Sequence, residues 1–445
     1  MNTAVVRACV ALLLSPVLLS AQQTQRCTIT GAGQTNVKLP SGQYNSYMGG
    51  GVVAKCPAKS ITLRADSLES YGDEGRIFFL GHVHYDEPRL ALTSDYLTYF
   101  QADERVVANG NVDARLPSGS TMRGPFAEYQ RVIPGRRPDP ILIATGRPTF
   151  HIVQKDTAGR DTVPTLVVAN NVTMRGDSLV FAGGQVEVTR TDVVARGDSM
   201  ALDSQKEITV LVRNPSIEGK RDRPFTLRGD RIELAGSDRK LHRVLSTGKA
   251  TAVSQDMTLA SDTIDLRVAN DLLQRAVAYG PTRARASSAS QRITSDSIDV
   301  RMPNQRVQEV HAVRAAYAEG RPDSTRFKAD TVDWMRGDTI VARFDTTPPP
   351  RDSASQARMK EIVAVGNARS YYHLPPSDTT QVRAAINYVV GKEIVVAFQD
   401  QKVSRVTVID QAAGVYLEPR AERDSTRRDS TKAGANRPRA IAPRP

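Results

Sequence analysis

Apolar and polar residues alternate along most of this chain. In residues 106–114 one face carries Val106, Ala108, Gly110, Val112 and Ala114, while Val107, Asn109, Asn111 and Asp113 take the other. A period of two puts alternate side chains on opposite faces, so this segment predicts a strand with one buried face. The pattern returns at Val244, Ser246, Gly248, Ala250 and Ala252, and again at Ala276, Ala278, Gly280, Thr282 and Ala284. A further copy gives Ile362, Ala364, Gly366 and Ala368. Weaker copies end at Gly81-His82-Val83 and Thr145-Gly146-Arg147, and in Val310-His311-Ala312-Val313-Arg314 an Arg takes the Gly position. A Gly inside each strand predicts a bend or a close backbone approach.

A second pattern precedes most copies of the first: a small residue, Asp, a polar or aromatic residue, then an apolar one. It is read at Asp66, Asp95, Asp177, Asp198, Asp230, Asp262, Asp296 and Asp330. From Asp198 onward the spacings are 32, 32, 34 and 34 residues, and the first pair lies 29 apart. Such periods predict a solenoid-like array of small units, each of about two short strands and two turns. An Asp after a small residue suits a corner, where its carboxylate bonds nearby N–H groups. The single, evenly spread Asp residues argue against a row of catalytic carboxylates, because acid–base work needs two carboxyls converging on one site.

Other segments interrupt the array. Residues 116–139 and 154–164, Thr346 to Ser353 and Pro375 to Thr380 are polar and read as linkers. Residues 22–59 contain Gly31, Gly33, Gly42 and Gly49-Gly50-Gly51 and read as irregular. Residues 418–445 carry two Arg-Asp-Ser-Thr copies and read as a disordered basic tail. The repeats therefore run over 60–417, with two lobes, 60–345 and 358–417, left open. Residues 1–21 have an early Arg7, a short apolar run from Ala8 and a small-residue end at Ser20-Ala21, the layout of a cleaved export signal. Cys9 would leave with it. Cys27 and Cys56 would remain, free to bridge in an oxidising compartment or to stay as two thiols.

Composition narrows the chemistry. Apolar residues make up 40% of the chain and aromatics 5%, with one Trp, which is lean for a compact core and short of sugar-stacking platforms. Lys and Arg number 60 against 48 acids, a net charge of +12, which attracts anionic lipids and phosphates. Scattered Arg and few aromatics speak against nucleic acid. No phosphate loop, nucleophile elbow or HExxH motif is present, and His82-x-His84 lacks an evident third metal ligand. No enzyme activity and no cofactor are expected. The inner face of Ala, Val, Ile, Gly and Thr fills little volume. Either the layers lie close together or the trough between them receives acyl chains. Val106, Ala108, Val112, Val244, Ala250, Ile362 and Ala364 are the candidate lining residues. A packed structural or adhesive rod is the rival reading.

The small-Asp-x-apolar corner followed by Val-x-Ala-x-Gly-x-Val, as in Ser94 to Leu97 and Val106 to Val112, resembles the organic-solvent-tolerance (OstA-like) repeat. The resemblance covers roughly 60–417. That family includes the periplasmic lipopolysaccharide-transport bridge protein (LptA-like) and the N-terminal part of the outer-membrane translocon. The resemblance implies an all-β, elongated, V-shaped β-jellyroll (a β-taco) of stacked antiparallel strands, built from repeats of about 30 residues. It further implies a trough for lipopolysaccharide or a related acylated lipid, periplasmic location at the outer membrane, other jellyroll proteins as partners, and end-to-end self-association. This chain is longer than a single-domain bridge protein and lacks the translocon's large barrel.

Overall fold

The computed structural model describes residues 27–153, 159, 164–190, 193–219, 224–238, 240–254, 257–270, 272–322, 328–345, 358–374, 383–399 and 402–419. The expected export signal at 1–21 and the tail beyond 419 lie outside them. The chain divides into two compact units, Met1–Arg190 and Thr191–Pro445. The division thus falls well before the 345–358 segment weighed from sequence.

The fold is all-β and jellyroll-like. The first unit contains β1 (Thr28–Thr30), β2 (Gly33–Lys38), β3 (Tyr44–Gly49), β4 (Val52–Cys56), β5 (Ile61–Ala65), β6 (Ser67–Tyr71), β7 (Arg76–Glu87), β8 (Leu90–Phe100), β9 (Arg105–Arg115), β10 (Thr121–Gln130), β11 (Ile141–Thr145), β12 (Thr149–Ile152), β13 (Thr165–Val168), β14 (Asn171–Arg175) and β15 (Leu179–Arg190). The second contains β16 (Val193–Asp203), β17 (Ile208–Val212), β18 (Ser216–Gly219), β19 (Phe225–Arg228), β20 (Arg231–Ser237), β21 (Lys240–Ser254), β22 (Met257–Ala269), β23 (Leu272–Ser287), β24 (Gln291–Arg301), β25 (Glu309–Gly320), β26 (Asp333–Phe344), β27 (Met359–Leu374), β28 (Ala385–Gln399), β29 (Lys402–Ile409) and β30 (Ala413–Leu417).

The long strands are bent in the middle, and each half joins a different ladder. In the first unit the Ile77–Leu80 half of β7 pairs with β6, and its His84–Asp86 part pairs with β5. β10 likewise pairs with β11 through one half and β12 through the other. Two antiparallel ladders therefore run side by side, joined by strands that cross from one to the other at a corner. The second unit repeats this plan, from β16 with β17 and β18 to β28 with β29 and β30. At about 4.8 Å per strand, its ladder from β16 to β29 extends roughly 50 Å across the strands.

The corner has a fixed chemistry. Gly110 and Asn111 both have positive φ (76° and 47°), as do Gly81 and His82, Gly184 and Gln185, Gly248 and Lys249, and Gly366 and Asn367. Two successive left-handed residues turn the strand and break its register there, as between Leu80 and Val83 of β7. A Cβ on Gly110 would lie 2.3 Å from Asp95 Oδ2, so the Asp of the preceding strand occupies the space a side chain would need. Asp66, Asp230, Asp262 and Asp338 stand in the same relation to Gly81, Gly248, Gly280 and Gly366.

The two sequence patterns are the two sides of this corner. The apolar residue two after each Asp pairs with the residue two before each Gly: Leu97 with Ala108, Ile264 with Ala278, Ile340 with Ala364. Two of the sequence assignments need correction. Asp177 lies in the turn between β14 and β15, and Asn170 faces Gly184 instead. Asp330 precedes β26, and the corner acid of that strand is Asp338. The sequence predicts an irregular segment over 22–59, but Thr28–Cys56 forms β1 to β4, and it predicts a linker over 116–139, which contains β10. In both cases aromatic and polar side chains stand where the clearest copies have Val and Ala, so the period is harder to see.

Candidate trough between the two ladders

All seven sequence-predicted lining residues face inward. Val106, Ala108 and Ala364 are fully buried, Ala250, Val112 and Val244 are 1 to 3% exposed, and Ile362 is 5% exposed. The pairing aligns them in rows across the strands. One row in the second unit runs Ile264, Ala278, Ile298, Ala312, Ile340, Ala364, Ile394 on successive strands β22 to β28. Every member is fully buried. The other ladder gives Leu259, Ala286, Ile293, Ala318, Met335, Ser370. In these two rows the large side chains come from β22, β24 and β26 and the small ones from β23, β25 and β27, whereas the next row sets Val310 and Ile362 of β25 and β27 against Ala342 of β26. Each fully buried Ile or Leu contributes about 1.5–3 kcal/mol. In this closed conformation the inner faces exclude solvent.

The inner face is not wholly apolar. Among the described residues the Ser261 and Ser370 hydroxyls are buried without a hydrogen-bond partner. An unpaired buried hydroxyl costs about 1–3 kcal/mol.

A polar cluster closes the first unit's mouth, at the strand ends opposite the corner. Glu87 ends β7 in one ladder, and its side chain is 4% exposed. It accepts hydrogen bonds from Tyr85 (2.9 Å) of the same ladder. It also accepts from Tyr129 and from Arg131 Nε (2.6 Å), which close the other ladder. Arg131 Nη1 also donates to Glu104 Oε2 (2.8 Å), as does the Tyr99 hydroxyl (2.9 Å). Lys59, from the turn between β4 and β5, completes the chain through an ion pair with Glu104. Burial alone would raise the Glu104 carboxyl, but hydrogen bonds from Lys59, Tyr99 and Arg131 outweigh it and hold it below its ordinary value. Burial would lower the Lys59 amine, yet its bond to Glu104 raises it. Desolvation pushes the Tyr85 and Tyr129 phenols well up, so both remain donors. Sequence reasoning missed this cluster. Its signal was acids and Tyr at strand ends, among otherwise small-residue strands.

Other expected features have plain positions. Cys27 and Cys56 are joined in a disulfide that ties the start of β1 to the end of β4. His82 sits on the corner, with Nδ1 2.7 Å from Asp66 Oδ2, and among the described residues no group of three His, Cys, Asp or Glu could hold a metal. No helix among the described residues is long and apolar enough to cross a membrane. No protein-family model and no curated protein matches this chain.

Proposed function

We propose that this protein is a non-catalytic, periplasmic lipid-binding protein that carries or bridges lipopolysaccharide, or a similar acylated envelope lipid, to the outer membrane. The observation that carries this reading is the inner face: two ladders joined at one corner, with mostly apolar rows, interrupted by buried Ser residues, facing between them. Acyl chains need an apolar surface of this kind. Loading requires the ladders to part at the mouth. The resemblance to OstA-like repeats points the same way, and partner jellyroll proteins would join at the outermost strands, where β30 pairs only with β28 among the described residues.

Photo-crosslinkers placed at Val106 and Val244 test this in envelope preparations. Adducts carrying lipopolysaccharide or another acylated lipid at both positions are expected. Val244→Asp sets a charge against the chains and should abolish capture. Incorporation at both sites without a lipid adduct, in a folded protein, would leave the second reading. That reading is a packed structural rod, and the complete burial of Ala108, Ala364 and Ile340 favours it.

A further inference from the structure

The outer face of the last strands in the second unit differs from the rest. Trp334 of β26, Tyr371 of β27, Tyr388 of β28 and Val415 of β30 pair in one row across four strands. Their neighbours Met335 and Ser370 are buried on the inner side, so this row points outward. The Trp334 and Tyr371 rings are stacked at 6°. Ile386 and Leu417 extend the row, and Thr331 and Val332 fold over it, so that these side chains enclose an open groove of about 650 Å³. Val332, Val415 and Leu417 are 39, 52 and 54% exposed. Asp330-Thr331-Val332, read from sequence as a corner, is instead one wall of this groove.

Cations flank both sides. Arg336 and Arg369 are directly paired across β26 and β27 on the same outer face, and both are exposed. Arg336 leans over the Trp334 ring at 5.8 Å, and among the described residues neither guanidinium has an acidic partner. Like charges directly opposite on a sheet are destabilising, and this pair carries that cost. Lys328 and Arg383 meet in a bridge at the other side, and both are exposed. Of the acids nearby, Asp330 lies on this wall, Glu319 of β25 pairs directly with Trp334 on the same face and is held by Arg292, and Glu418, just past β30, accepts from the Tyr416 hydroxyl.

We propose that this face docks onto an anionic lipid surface, with Trp334, Tyr371, Tyr388, Val415 and Leu417 entering the headgroup layer and the four cations meeting phosphates. Trp and Tyr favour that layer because their rings are apolar and their tips polar, and basic residues are drawn to anionic leaflets. A lipid surface fits better than an extended peptide laid on this face. The backbone groups of β26, β27 and β28 beneath are already used in the ladder, so a peptide laid across this face would meet free backbone groups only at the outer edge of β30. This docking does not depend on lipid entering the trough, which lies on the opposite face.

The chain has one Trp, so its emission reports this site alone. Full-length protein is titrated with vesicles of phosphatidylcholine, with or without phosphatidylglycerol, some carrying brominated acyl chains. The expected result is a blue shift and bromine quenching of Trp334 with the anionic vesicles, lost in high salt. An Arg336→Gln/Arg369→Gln variant, whose substitutions are both on the exposed face, should weaken vesicle affinity roughly ten-fold or more. Inorganic phosphate that reproduces the shift without vesicles would overturn the proposal in favour of a free anion. So would co-sedimentation with unchanged Trp334 emission, which places contact elsewhere, or a shift produced only by another protein. Crosslinking at Val106 and Val244 reads the trough separately, so failure of one idea is distinguishable from failure of the other.

Discussion

Gly110 is where one residue decides the path of a strand. It has positive φ, and Asp95 fills the place of its missing side chain. Gly110→Ala imposes left-handed strain of about 1–2 kcal/mol and also pushes Asp95 away, so the first unit's melting temperature should fall by several degrees in a calorimetric scan. An unchanged melting temperature would mean the corner relaxes freely. Glu104 makes a pH prediction. Its folded value lies below the ordinary 4.5, so its contribution is present above that value and is lost as pH falls through the lower folded one. Lys59 lies above its ordinary 10.5, so its share is present below that value and is lost as pH rises through the higher one. Between these limits the cluster should hold constant strength. Urea midpoints of the wild type should fall on acidification, and Glu104→Gln should flatten that acid limb. The corner Asp and Gly were legible in the sequence because both are rare choices inside strands. Asp338 was not, because Ala329-Asp330-Thr331-Val332 imitates the motif eight residues earlier.

Among elements, Ile-bearing and Ala-bearing strands alternate along the fully buried row from β22 to β28. Sequence displayed both patterns but not that they are partners, since pairing is a property of register. The strand faces of Val106, Val244 and Ile362 followed directly from alternation. The closing cluster did not, because Glu87, Glu104 and Arg131 converge from separate strand ends that only the fold brings together. Ser370 gives a test at this scale. Its hydroxyl is buried between apolar neighbours without a partner among the described residues. Ser370→Ala should raise the second unit's stability by about 1 kcal/mol in denaturant titration. The disulfide closes a separation of 29 residues, which in the loop-entropy view is worth about 3–4 kcal/mol. Reduction should therefore lower the first transition and loosen β1 to β4, as read by amide exchange.

At the scale of the whole molecule, the two units should unfold as separate steps, because each holds its own buried rows. Arg131→Met would strand the buried Glu87 carboxylate and should cost the first step about 3–5 kcal/mol while leaving the second in place. A common shift of both steps would show that the units melt as one. Four of the cations counted in the net charge, Arg336, Arg369, Lys328 and Arg383, stand around the outer groove at Trp334, which periodicity could not reveal because its row is assembled from four strands.

The alternating bend gives the molecule an adjustable length. From β22 to β27 each strand is bonded to its sequence neighbours on either side, in both ladders. Excising one adjacent pair, such as Met257–Ser287, leaves β21 and β24 running in opposite directions, with the small-residue strand still meeting the large-residue one. The ladders would shorten by about 10 Å and keep the same cross-section. The length of the second unit can thus change in whole strand pairs without redesigning its profile.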